Sequence, residues 1–149
     1  MYNGTTYIPQ TKRSERIETP ADKLIRLLLY TRKATSLPDG AFGLQERLLF
    51  CLLAAPQPPR ELMESLGMAK SNLALLAKKC IGEGLIDKTT QNGDRRTILY
   101  ALTEKGRTET QKRLSAINEK FATVLPDDNA RGTALATLDA ANELLSFVP

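Results

Sequence analysis

Residues 61–106 read ELMESLGMAKSNLALLAKKCIGEGLIDKTTQNGDRRTILYALTEKG, and the punctuation of this stretch decides the fold. Pro59-Arg60-Glu61-Leu62 opens a short helix, with proline in the first turn where its missing N–H is tolerated. Gly67 closes that helix after Leu66, and Leu66-Gly67-Met68-Ala69 is a tight turn. A second helix is predicted from about Ala69 to Gly82. Leu85–Thr90 and Thr97–Leu102 then read as two strands around Gln91-Asn92-Gly93-Asp94, where Asn-Gly supplies the positive φ that a hairpin turn requires. Helix, turn, helix and hairpin in that order make a winged helix-turn-helix.

The second helix separates into two faces. At 100° per residue Leu73, Leu76, Ala77, Cys80 and Ile81 fall within an arc of about 140° and are expected to pack inward. Ser71, Asn72, Leu75, Lys78 and Lys79 lie opposite, with Lys70 and Ala74 at one flank. Residues 69–82 contain no acid, whereas an ordinary solvated helix alternates acids and bases. Lysine suits phosphates and guanine edges, asparagine suits adenine, and an apolar side chain suits the thymine methyl. The outward residues are therefore candidates for reading DNA. Just past the hairpin turn stands Asp94-Arg95-Arg96. It reads either as a polar turn with Asp94 bonded to backbone, or as a wing tip in the minor groove. In the second reading one arginine inserts, the other neutralises a phosphate, and Asp94 orients Arg96.

Outward from this block the chain is helical. Residues 1–19 form a polar arm. Leu24, Ile25, Leu28 and Leu29 recur at helical spacing from Pro20 to about Ser36, and a turn at Leu37–Gly40 follows. Another helix is expected from about Leu44 to Ala55, ended by the prolines at 56–59. After the hairpin, Thr103 caps a long helix that Pro126 breaks, and a last helix spans about Asp127–Phe147. The expected class is mainly α with a small β-hairpin wing. The winged part spans residues 37–102, and dimerisation helices occupy 20–36 and 103–149. Leu135, Leu138, Ala141 and Leu145 form an apolar stripe that needs cover. The cover is either residues 20–36 of the same chain or a symmetric second copy. The copy explains better why both ends are helical and apolar. It would place two reading helices about 34 Å apart, one turn of DNA.

Composition narrows the chemistry. The 149 residues carry 21 Lys+Arg against 17 Asp+Glu, a net charge of +4, with no His and two Cys. Without His, the commonest general base and metal ligand are absent, so triad and His-metal enzymes are excluded and no cofactor is expected. Cys51 and Cys80 form no ligand cluster and read as small buried hydrophobes. Segment sums are +3 over residues 69–96 and −3 over 121–149, so the modest total conceals a basic middle and an acidic end. No secretion signal or bilayer-length apolar run is visible, which points to a cytoplasmic protein without membrane contact.

The run 61–106 resembles the MarR family of bacterial transcription regulators, in its helix-turn-helix, the GEGLI exit into the wing, the DRR of the wing and the LTEKG opening of the next helix. The flanking helices agree in number and order, so the resemblance covers roughly residues 20–147. It implies a homodimer with interlocked terminal helices, binding a near-palindromic double-stranded operator as a repressor. Position by position, Lys70, Ser71, Asn72, Leu75 and Lys78 match the family's recognition-helix surface. Asp94 and Arg96 match its wing Asp-x-Arg pair. Ala74 and Leu75 stand where many relatives carry polar or basic groups, so base preference does not transfer. The first helix lacks the cysteine of peroxide-sensing relatives. Relatives that bind small phenolic ligands do so between the dimerisation helices and the winged part, where Tyr30, Phe42 and Phe50 are candidates to line a pocket or to be plain core. The competing reading is a winged-helix module that binds protein and never DNA.

Overall fold

The computed structural model describes residues 19–91 and 94–149, with backbone alone at 91, 94 and 95. The expected arm therefore lies outside the described residues up to position 18, as does the Asn92-Gly93 turn. Helix α1 (Pro20–Ala34) begins with a reciprocal cap. The Asp22 N–H donates to Thr19 Oγ1 at 3.3 Å, and the Thr19 N–H donates to the Asp22 carboxylate at 2.8 Å. Two orphan donors of the first turn are thus satisfied at once.

Helix α2 (Leu44–Cys51) ends four residues before the expected Ala55. Side chains from elsewhere take carbonyls at its end and just beyond. Gln57 Nε2 donates to the Cys51 carbonyl at 2.6 Å and Arg107 Nη1 to that of Leu53 at 3.1 Å. The chain is freed to lay Gln57 beside Tyr100, where two backbone hydrogen bonds of 3.0 and 2.9 Å form an isolated antiparallel bridge.

Helix α3 (Pro59–Leu66) stops at Gly67, whose φ of 60° is left-handed and free of strain only for glycine. Helix α4 (Lys70–Gly82) follows, with Ala69 as its cap and not its first turn. Strands β1 (Ile86–Gln91) and β2 (Asp94–Leu102) pair antiparallel, and β2 starts three residues earlier than the expected Thr97. The register runs from Ile86↔Leu102 to Thr90↔Ile98 and then shifts so that Gln91 opposes Asp94. The extra residues of β2 carry the strand out to the tip as an irregularity, which the alternation of side chains does not reveal. Helices α5 (Glu104–Ala122) and α6 (Asp128–Ser146) complete the chain, capped by Thr103 and Asp127.

The core is confined to the middle of the chain. Leu48, Leu49 and Leu52 meet Leu62, then Leu73, Ala77 and Cys80 of α4, and are closed by Leu85, Ile86 and Tyr100. Leu76 and Ile81, expected inward, are half-buried against this cluster. The start of α5 belongs to the same unit, since Gly106 and Thr110 are buried against it. By contrast α1 and α6 contain no buried residue. Leu28 and Leu29 are 59% and 64% exposed, and Leu135 and Leu138 are 57% and 47% exposed. Cover of the α6 stripe by α1 of the same chain is not what the structure shows.

Two cations of α5 tie the ends to the middle. Arg113 bridges Asp39 of the α1–α2 turn at 2.8 Å and Glu46 of α2 at 3.1 Å. Lys120 Nζ donates to the carbonyls of Lys33, Ala34 and Ser36 at 3.5, 2.9 and 2.6 Å. A cation there satisfies the orphan carbonyls of the α1 terminus and complements its dipole.

Candidate nucleic-acid interface

Burial of Leu73, Ala77 and Cys80 fixes the rotation of α4, and so which residues it offers outward. Lys70, Ser71, Asn72, Leu75, Lys78 and Lys79 are all exposed, as their spacing predicts. The first turn of α4 has no acid, and Ala69 provides no side-chain acceptor for its N–H groups. The positive end of the helix dipole is therefore left uncompensated beside Lys70. Among the described residues no acid pairs with Lys70 or Lys78. Lys79 differs from its neighbours: its Nζ lies 3.9 Å from Glu83 one turn on, so part of its charge is already balanced. Glu83 is further held by Gln45 Nε2 at 3.0 Å.

The hairpin is anchored to the same body at its base. Leu85 N donates to the Cys80 carbonyl at 2.9 Å, and Thr103 N donates to the Leu85 carbonyl at 3.1 Å. Thr103 Oγ1 donates to the Gly84 carbonyl at 2.7 Å and accepts the Gly106 N–H at 3.0 Å. Helix α4, the hairpin and the start of α5 therefore share one set of hydrogen bonds, which sets the base of the hairpin against α4. Arg96 is exposed on β2. The side chains of Asp94 and Arg95, and with them the expected Asp94–Arg96 contact, lie outside the described residues.

The ligand candidates fare differently. A cleft of about 640 Å³ opens between the α1–α2 turn, α2 and α5, lined by Leu37, Phe42, Leu49, Glu46, Glu109 and Arg113 among others. Phe42 belongs to it. Tyr30 and Phe50 do not, and are 64% and 52% exposed. Phe50 lies about 150° around α2 from the mean direction of Leu48, Leu49 and Leu52, so it faces away from the body. Tyr30 sits on α1, which the chain does not fold back onto its core. Missed from the sequence were Arg107, Arg113 and Lys120. Arg113 meets its partners across 67 and 74 positions and Lys120 across as many as 87, and no local pattern announces such pairs.

Burial raises the thiol pKa of Cys80 to about 11, with Glu83 adding to the effect, and burial also raises that of Cys51. Both thiols are thereby kept protonated and poorly nucleophilic at neutral pH. Among the described residues no group of three or more Cys, Asp or Glu is placed to hold a metal ion, and no helix is long and apolar enough to cross a membrane.

No protein-family model matches the sequence, and no curated protein matches it. Solved structures do. RV1404 of Mycobacterium tuberculosis superposes with a TM-score of 0.70 at 21% identity, over 89% of this chain and 99% of that one. MarR of E. coli gives 0.65 at 15% identity, over 85% and 98%. CouR, described as a transcriptional repressor bound to a 23-mer DNA duplex, gives 0.57 at 24% identity, over 83% and 92%. Six helices with a two-stranded hairpin between the fourth and fifth are thus shared with these proteins along nearly their whole length. The chain has the MarR-like winged-helix fold.

Proposed function

We propose that this chain is a DNA-binding transcriptional repressor that grips a near-palindromic operator as a homodimer. The observation that carries the reading is the outward face of α4: Lys70, Ser71, Asn72, Leu75 and Lys78 stand together, exposed, on a helix without an acid. Ser71 and Asn72 are the hydrogen-bonding readers of base edges, and Lys70 and Lys78 neutralise phosphates. Asp94, Arg95 and Arg96 serve the flanking minor groove from the wing. Lys79 contributes less, because Glu83 competes for it. The DNA-bound state of CouR supports this reading.

The partner for the dimer is a second copy. The apolar faces of α1 and α6 are too extensive to stay in water on a monomer, and among the described residues nothing covers them. A small aromatic ligand would act in the cleft beside Phe42. There it would part Arg113 from Glu46 and shift the winged part relative to the terminal helices.

The test is selection of bound duplexes from a random pool, followed by titration at several salt concentrations. A motif with two half-sites about one helical turn apart is expected. Lys78→Ala and Arg96→Ala should weaken all sequences and each reduce the salt slope by about 0.9, whereas Asn72→Ala should change which sequence is preferred. Recovery of no motif, or binding insensitive to salt, sinks the proposal in favour of a protein-binding module.

A further inference from the structure

Resting on the DNA reading above, we infer that Leu75 is a specificity-determining residue that recognises the 5-methyl group of a thymine at the centre of each half-site. The placement is geometric. Taking Leu73, Ala77 and Cys80 as the buried direction, Leu75 projects about 165° away from it. It therefore occupies the middle of the outward face, not an edge. Ser71 and Lys79 flank it at about 40° on either side, with Asn72 and Lys78 at about 60°. Leu75 is 69% exposed, the most exposed large apolar side chain of α4 and of the described residues from α2 to β2.

No packing among the described residues accounts for this leucine. The other apolar side chains exposed to this degree, such as Leu29, Leu144, Phe147 and Val124, lie on α1, on α6 and around the turn before α6. Leu75 is separated from them, surrounded by cations and hydrogen-bonding side chains on the face most remote from the core. A helix laid in the major groove brings its central outward residue nearest the groove floor. The apolar group displayed there is the thymine methyl, since the other base-edge groups are donors or acceptors. A γ-branched side chain with no polar atom gains by covering that methyl and loses by burying an unpaired donor or acceptor. Leucine at this position thus favours thymine and disfavours cytosine, which presents an amino group in place of O4 and lacks the methyl.

Deoxyuridine differs from thymidine by that methyl alone, which makes the test direct. The full-length protein selects duplexes from a random pool. Each thymine of the best duplex is then replaced by deoxyuridine, symmetrically in both half-sites, and binding is followed by fluorescence anisotropy. One symmetric replacement should weaken binding by about fourfold per half-site, the transfer value of one buried methyl, and by about fifteenfold for the pair. Leu75→Ala, at an exposed site on a helix that tolerates alanine, should bind thymine and uracil duplexes equally at that position while keeping preferences elsewhere. If every deoxyuridine duplex binds like its parent, or Leu75→Ala keeps the same penalty, the inference fails and the DNA reading stands. The scan with the unsubstituted chain decides the matter even if the variant binds too weakly to measure. If no duplex is recovered, the DNA reading fails and this inference falls with it.

Discussion

Replacing Gly106 by alanine probes the joint between the hairpin and α5. A Cβ at this position would overlap the Leu85 carbonyl oxygen, stand 2.9 Å from the Leu85 carbonyl carbon, and stand 3.1 Å from Leu102 Cδ2. The obstacle is backbone and cannot rotate away. Nor is it free to shift, because the same oxygen accepts Thr103 N at 3.1 Å and Leu85 N is bonded to the Cys80 carbonyl at 2.9 Å. Relief requires moving α5 off the hairpin, which strains the packing by roughly 1–3 kcal/mol and weakens one cap hydrogen bond by about 1 kcal/mol. Against this, alanine improves intrinsic helix propensity by about 1 kcal/mol. The net expectation is a loss of roughly 1–3 kcal/mol, or a Tm lower by about 3–10 °C for a chain of this length. Gly132 in α6 provides the control, since its Cβ would meet nothing within 4 Å. Gly132→Ala should stabilise by about 0.5–1 kcal/mol. Both variants are compared by thermal and urea unfolding at one fixed protein concentration, because the stability of the proposed dimer would depend on concentration. If Gly106→Ala matches the unsubstituted chain while Gly132→Ala gains, the close approach of α5 to Leu85 is wrong.

Arg113 is 18% exposed and bonds both Asp39 and Glu46, so Arg113→Ala should cost on the order of 2 kcal/mol in urea unfolding; a change of a few tenths would show the bridge to be ornamental. Leu138→Glu places a charge in the apolar stripe of α6 and should convert dimer to monomer in analytical ultracentrifugation; an unchanged mass would exclude α6 from the interface. The raised pKa of Cys80, about 11, means that the folded chain retains a proton which the unfolded chain releases at lower pH. Its stabilising contribution is therefore complete below the ordinary thiol range and is lost as pH rises through that range toward the folded value. Urea unfolding at about pH 8 and about pH 10.5 should show the unsubstituted chain losing more stability than Cys80→Ala, by an amount on the order of 2 kcal/mol. Equal losses would mean that the buried thiol is not the titrating group.

The winged helix-turn-helix was legible because its signals are local. Gly67 marks the one left-handed residue of the turn, and the period of Leu73, Ala77 and Cys80 sets the rotation of α4 without reference to any other element. The β-prone runs on either side of residues 92–93 were legible as well, and they pair as β1 and β2. Where the reading failed, distant groups intervened. Where α2 stops, Gln57 takes the Cys51 carbonyl and Arg107 that of Leu53 just beyond, and Arg107 lies 54 positions from Leu53. Of the three aromatic candidates Phe42 lines the cleft of the single chain, whereas Tyr30 and Phe50 lie on faces this chain leaves exposed, because enclosure is a property of several elements together.

By itself, the sequence determined the order of elements, the inward and outward faces of α4, and the absence of acid among the residues of that helix. These follow from backbone sterics and helical period, which act over a few residues. Tertiary structure alone decided how far β2 extends, which cations bind α5 to α2 and to the end of α1, and that α1 leaves the stripe of α6 uncovered. Those outcomes depend on which groups meet in space across dozens of positions. The faces of α1 and α6 are the clearest instance: periodicity shows that they are apolar, and only the packed chain shows that the other described residues leave them exposed.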